Sequence, residues 1–197
     1  SRAGTTKLDL VRYYQAVETP LLATIEGRPT LMQRFPDGAS GKSFFQKRVP
    51  KGTPDWVETM ELSTPNGTTS NALVIADLAH LLWAVNLGCL GFHPLPIRAS
   101  APGVTDELRI DLDPSKGVGP ADLREAARAT RAVLAEEDIE SFVKTSGNRG
   151  LHLYVPLEAR WDSFDVRRAA VALAREVERR HPDLVTSAWW KEERGER

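Results

Sequence analysis

Leu108-Arg109-Ile110-Asp111-Leu112-Asp113-Pro114 decides how the chain is read. In an extended strand successive side chains point to opposite faces. Leu108, Ile110 and Leu112 therefore form one apolar face, and Arg109, Asp111 and Asp113 form the other. The two carboxylates stand ~7 Å apart along the strand, close enough to converge on one or two divalent cations. Mg²⁺ and Mn²⁺ take oxygen ligands, and phosphoryl-transfer sites hold them with a few carboxylates plus substrate phosphates. Pro114 stops the strand where the pair stands. The competing reading is a solvated strand face, although aspartate is depleted in strands.

Downstream the pattern is regular. Glu107 to Asp113 reads as a strand. Pro120 to Asp138 reads as an amphipathic helix with Leu123, Ala127, Thr130 and Leu134 on one stripe. Phe142 to Thr145 and Leu151 to Leu157 are strands joined by a glycine-rich turn. Asp162 to His181 is a second helix, with Val166, Ala170, Leu173 and Val177 inward. The order strand, helix, strand, strand, helix predicts an α+β unit with helices on one face of a mostly antiparallel sheet.

Upstream, Arg98 to Glu107 is rich in Ala, Ser, Pro, Gly and Thr and reads as a boundary between lobes of about 1–100 and 101–197. The first lobe is mixed. Asp9 to Val17 has helical spacing, and a further turn follows Pro20. Thr30 to Phe35 and Trp56 to Ser63 suit strands, and Thr64 to Asn71 is a polar loop. Asp77 caps a helix that runs through Leu87 and ends at Gly88.

Composition limits the partners. With 26 basic and 27 acidic residues the net charge is -1, so any contact with a polyanion needs a local patch. One cysteine, Cys89, excludes an intrachain disulfide, and with four histidines a structural zinc site is not expected. A reducing, cytoplasmic compartment fits. The most apolar stretch, Ala72 to Phe92, is interrupted by Asp77, His80 and Asn86, so no membrane partner is expected. The chain opens Ser1-Arg2-Ala3-Gly4 without methionine, as expected of a piece cut from something longer.

Two more segments carry chemistry. In Lys144-Thr145-Ser146-Gly147-Asn148-Arg149-Gly150, two glycines permit a tight turn whose amides point outward to phosphate oxygens. Ser146 adds a hydroxyl and Arg149 a planar guanidinium. On the next strand Leu151, Leu153 and Val155 face the core, so His152 and Tyr154 face out. An ordinary hairpin with a solvated histidine is the alternative. In Lys42-Ser43-Phe44-Phe45-Gln46-Lys47-Arg48-Val49-Pro50-Lys51, four cations flank two aromatics without an acid. Such a segment can follow a phosphate backbone and stack on unpaired bases; alternatively one phenylalanine is core. His93 and His80 read as core histidines, and Trp189-Trp190 as a core strand edge.

Taken in order, Met32-Gln33-Arg34-Phe35-Pro36-Asp37-Gly38, Gly41 to Arg48, Arg109 to Pro114, Lys144 to His152 and Ala188-Trp189-Trp190-Lys191-Glu192 resemble the archaeo-eukaryotic primase superfamily. They resemble most the polymerase domain of bacterial ligase D and its stand-alone relatives. The resemblance implies a primase-polymerase fold, an N-terminal mixed module followed by an RRM-like catalytic palm. It implies a template-dependent nucleotidyltransferase that fills gaps or extends DNA ends in non-homologous end joining. Ribonucleotides would be favoured, with Mn²⁺ or Mg²⁺ as cofactor. DNA ends or gaps carrying a 5′-phosphate, nucleoside triphosphates, Ku and a DNA ligase would be the partners, in the nucleoid of a bacterial cytoplasm.

By the same resemblance Asp111 and Asp113 are the metal ligands. Ser146, Arg149 and His152 hold the incoming triphosphate, with lysine in many relatives where Arg149 stands. His93 matches a nucleotide-pocket histidine. Phe44 and Phe45 match aromatics that meet template bases, among the cations Lys42, Lys47 and Arg48. Lys7 corresponds to a lysine that recognises the 5′-phosphate, and residues 64–71 to a loop that helps bring two ends together. The family has a third carboxylate on a strand after Trp-Trp-Lys-Glu. Glu192, Glu193 and Glu196 precede that strand, and the sequence ends at Arg197, so truncation before the third acidic motif is expected. Two other classes remain open: a non-catalytic DNA-end or nucleotide-binding module, and an unrelated metal-dependent phosphoesterase.

Overall fold

Three helices start at a capping side chain, that of Thr6, Asp77 or Asp162. The computed structural model describes residues 4–63, 67–188 and 190–194. It divides into two units, Ser1–Pro102 and Gly103–Arg197. Helix α1 (Lys7–Ala16) begins at Lys7 rather than Asp9, because the Asp9 carboxylate accepts from the Thr6 backbone N–H and the Thr6 hydroxyl accepts from that of Asp9. Helix α2 (Glu18–Ile25) carries Pro20 in its first turn, where a missing N–H costs nothing.

The remaining elements of the first unit are β1 (Pro29–Arg34), β2 (Phe44–Gln46), β3 (Thr59–Ser63), β4 (Thr69–Val74), α3 (Leu78–Asn86), β5 (Cys89–Pro94) and β6 (Ile97–Arg98). The sheet order is β2-β1-β4-β3, with β5 also paired to β1. Strand β1 is its hub: Met32 lies opposite both Gln46 and Phe92. Met32, Leu73, Ile75, Leu81, Ala84 and Cys89 fill the core under α3.

Several sequence expectations change here. The strand read from Trp56 starts only at Thr59. The loop expected over residues 64–71 is in part strand: Thr69 to Asn71 belong to β4, opposite Ser63 to Glu61. Residues 64–66 lie outside the described residues. Strands β2 and β5 leave no clear period in the sequence, because both depend on β1 for their hydrogen bonds.

The second unit holds β7 (Ala101–Leu112), α4 (Pro120–Glu136), β8 (Phe142–Thr145), β9 (Leu151–Trp161) and α5 (Ser163–Arg180). Its antiparallel sheet has the order β7-β9-β8. Strand β7 runs through the stretch read as a linker. Its Pro and Gly sit at the start, and between Thr105 and Glu107 its pairing with β9 shifts register, the extra residues lying on β9. Leu108, Val155 and Leu134 form a core with Ile110, Leu157, Val166, Ala170 and Leu173 against them. Helices α4 and α5 therefore cover one sheet face, the expected α+β arrangement. The inward stripe of α4 is Leu123, Ala126, Ala129, Thr130, Val133 and Leu134, with Ala127 only half-buried. An Arg180–Glu136 ion pair at 2.6 Å ties α5 to α4.

Trp190 is 63 % exposed and leads into a 3-10 turn over Lys191–Glu193, so it is no core strand edge. Trp189 lies outside the described residues. Among the described residues, no helix is long and apolar enough to cross a membrane.

Candidate functional site

The open face of the second sheet carries the acidic pair. Asp111 is the last residue but one of β7 and Asp113 follows the strand's end, both exposed, while Leu108 on the opposite face is core. Antiparallel register sets Asp111 opposite His152 and His152 opposite Lys144. The next row along the strands is Arg109, Tyr154 and Phe142. His152 Nε2 lies 3.4 Å from Asp111 Oδ1, and Tyr154 Oη lies 3.5 Å from His152 Nδ1. Leu153 and Val155 are buried, so the alternation expected of this strand holds.

The 146–150 turn comes up against the acidic pair. A Cβ on Gly150 would stand 2.6 Å from the Leu112 carbonyl oxygen and 3.5 Å from Asp113 Oδ1. Gly147 adopts φ +89°, the left-handed region that favours glycine. The turn's amides do not all point outward as expected. The Asn148 and Gly150 N–H groups donate to Ser146 Oγ at 3.3 and 3.1 Å. A hydroxyl that accepts two amides keeps its own O–H free to donate. Arg149 is exposed at the turn and forms no ion pair among the described residues.

Burial, then the charge of Asp113, raises the Asp111 carboxyl above the ordinary carboxylate range. Charges on His152 and Arg194 oppose that rise. Burial lowers the His152 pKa more than Asp111 raises it. The repulsion between the two carboxylates is what a divalent cation would relieve, and an all-oxygen donor pair suits Mg²⁺ or Mn²⁺. Among the described residues no group of three or more His, Cys, Asp or Glu side chains is set to hold a metal.

A cleft of about 520 Å³ runs beside the pair, lined among others by Arg109, Asp111, Asp113, Arg167, Ser187 and Arg194. Arg194 was not singled out in the sequence. It lies in a charged tail without periodicity, and only the fold brings it near Asp111.

The first unit carries the other expected residues. Phe44 and Phe45 are 46 % and 57 % exposed, so neither is core. As neighbours on β2 they point to opposite faces. Phe44 meets the Arg34 guanidinium at 5.5 Å, and Phe45 meets the His93 ring edge-on at 5.0 Å. His93 is exposed, not core. Phe44, Phe45, Lys47 and Arg48 line an open groove of about 730 Å³ with Thr68 to Ser70. Arg48 donates to the Thr69 carbonyl at 2.7 Å, while Lys42 and Lys47 project into solvent. Lys7 donates to the Asn86 carbonyl at the C-terminal end of α3 at 2.8 Å. His80 is buried, as expected, and bonded at both nitrogens. Nδ1 is 2.6 Å from the Asp77 carboxylate, and Nε2 accepts the Glu58 N–H at 3.0 Å.

Residues 6–197 match the family model of the LigD primase-polymerase domain. The chain belongs to this family. It is 36 % identical over 196 residues to the Mycobacterium tuberculosis (H37Rv) "Multifunctional non-homologous end joining DNA repair protein LigD", covering 95 % of this chain and 26 % of that protein. It is 33 % identical over 190 residues to the Mycolicibacterium smegmatis LigD, covering 95 % and 25 %. The Bacillus subtilis "Bifunctional non-homologous end joining protein LigD" is 31 % identical over 183 residues, covering 92 % and 29 %. The solved "Polymerase Domain from Mycobacterium tuberculosis Ligase D in complex with DNA" superposes with a TM-score of 0.90 at 35 % identity, covering 98 % of this chain and 70 % of that one. The LigD-family chain described here thus spans about a quarter of the length of these curated relatives.

Proposed function

We propose that this chain is a DNA-repair polymerase domain, adding nucleotides under template direction at gaps or broken ends during non-homologous end joining. The observation that carries the proposal is the meeting of Asp111 and Asp113 with the Ser146–Gly150 turn through the close approach of Gly150 to Leu112. Membership of the LigD primase-polymerase family and likeness to a LigD polymerase domain solved with DNA support it.

Asp111 and Asp113 hold divalent cations, Mn²⁺ or Mg²⁺. When bound, such cations lower the pKa of a primer 3′-hydroxyl and neutralise charge on the leaving pyrophosphate. The chain's own residues orient the reactants. Ser146 donates its hydroxyl proton to a phosphate oxygen, and Arg149 offers a planar fork to the same triphosphate. His152 donates from one ring nitrogen to a phosphate while the other faces Tyr154. In the first unit His93 contacts the incoming nucleotide. Phe44 and Phe45 meet template bases, with Lys42, Lys47 and Arg48 following the backbone. Lys7 recognises a 5′-phosphate. Ribonucleotides are preferred, and Ku and a DNA ligase act with the domain, both by family resemblance.

The test is primer extension on a gapped, 5′-phosphorylated duplex, with ribo- and deoxyribonucleotides, beside a triphosphate-binding assay. Template-directed addition that needs Mn²⁺ or Mg²⁺ and is lost in Asp111→Ala is expected. Binding of triphosphate and DNA without addition selects the non-catalytic module. Strand cleavage overturns both readings.

A further inference from the structure

The open face of the second sheet continues past the acidic pair into a cationic spot that the roles above leave unused. Arg109 and Lys144 come from the two outer strands of the β7-β9-β8 series and approach the same ring, that of Tyr154 on the strand between. The Arg109 guanidinium is 5.3 Å from its centre and the Lys144 ammonium 5.9 Å. Arg109 is braced by Glu107, with Nε and Nη2 at 2.7 and 2.6 Å from Oε2. Lys144 donates to the Thr145 carbonyl at 2.8 Å and forms no ion pair among the described residues.

The two cations feel each other. Both stand within about 6 Å of one ring centre, and like charges so placed repel. An anion seated between them relieves this repulsion. Arg109 precedes Asp111 by two positions on β7, ~6.7 Å along the strand. That is comparable with one sugar–phosphate unit of a nucleic-acid strand.

We propose that Lys144 and Arg109, on either side of Tyr154, seat the phosphodiester that precedes the primer's 3′-terminal sugar. The seat rests on the polymerase reading and deepens it. It fixes the last primer nucleotide so that its 3′-hydroxyl lies toward Asp111. Tyr154 supplies a flat, aromatic floor and keeps the two cations apart.

The experiment compares wild type, Lys144→Gln and Lys144→Arg on a primer–template. The primer carries a neutral methylphosphonate either at its 3′-terminal linkage or further from the end. In wild type, neutralising the terminal linkage is expected to weaken binding about tenfold, the size of one charge-assisted contact. Neutralising a linkage further back is expected to cost less. Lys144→Gln should bind the unmodified primer about tenfold more weakly and be indifferent to the terminal methylphosphonate. Lys144→Arg should restore binding. The melting temperature should not move, because Lys144 is exposed. Equal sensitivity of wild type and Lys144→Gln to the terminal linkage overturns the seat. Weakened triphosphate binding with unchanged primer binding also overturns it, since the cations would then serve the triphosphate. If wild type shows no salt-dependent binding of unmodified primer–template at all, the polymerase reading fails, and the seat with it.

Discussion

The missing Cβ of Gly150 leaves just enough room for the Leu112 carbonyl, which a side chain there would approach to 2.6 Å. The obstacle is backbone, not the end of a flexible side chain, so it cannot swing aside. The turn that carries Ser146 and Arg149 is thereby held against the strand end that carries Asp111 and Asp113. Gly150→Ala is expected to destabilise the chain by about 1–3 kcal/mol, the usual cost of overpacking. It should also weaken triphosphate binding more than gapped-DNA binding. Chemical denaturation and two titrations check this, and an equal loss of both affinities would count against the coupling.

Asp111 should be a residue whose removal stabilises the metal-free chain. Its folded pKa is raised, so the native state binds that proton more tightly than the unfolded chain does. Stability then falls as pH rises through the raised value, and the penalty is present at neutral pH. Asp111→Asn is expected to melt higher than wild type at pH 7 without metal. The gap should close as pH falls below the ordinary value of 3.8, where both states are protonated. Mn²⁺ should raise the wild-type melting temperature and leave the variant's nearly unchanged. A wild type that melts higher than the variant at pH 7 without metal would show the carboxylate to be structural.

Phe44 and Phe45 should separate on substitution, because they point to opposite faces of β2. Phe45→Ala is expected to cost ~1–3 kcal/mol of single-strand template binding if its ring stacks on a base. The salt slope should stay unchanged, as no charge is lost. Phe44→Ala also removes the contact with Arg34 and should lower stability by about 0.5–1 kcal/mol besides weakening template binding. Lys42→Ala and Lys47→Ala should each lower the salt slope by about one. Affinity measured across a salt series, with melting curves, tests all four. Wild-type affinity in Phe45→Ala would remove stacking from the account.

His80 should matter to folding and not to catalysis. It joins the start of α3 to the residue ahead of β3 through Asp77 and the Glu58 N–H. His80→Ala removes the acceptor of that part-buried N–H and empties a buried site, and is expected to cost about 1–3 kcal/mol. Urea unfolding measures the loss, and a variant as stable as wild type would show that water replaces the ring.

The palm was legible because local chemistry and tertiary packing agree there. Alternation in Leu108 to Asp113 fixed which side chains face out. The stripe Val166, Ala170, Leu173 and Val177 announced α5, and Asp77 and Asp162 marked helix starts through their own carboxylates. Those signals are local: period, capping and turn chemistry act within a few residues. The first unit was read less well. Phe44–Gln46 and Cys89–Pro94 become strands only because β1 lies beside them, and hydrogen bonds to a distant strand leave little trace in composition. The strand β7 hid its first half among residues that usually mark a linker. The residue types of the site, two carboxylates, a serine, an arginine and a histidine, could be named from the chain alone. Only the fold determined that Gly150 brings the turn to the acidic pair and that Phe45 meets His93. It also decided that Lys144 and Arg109 share one ring and that Arg194 comes near Asp111. Each of these joins residues far apart in sequence, and such distances are set by strand register and close packing.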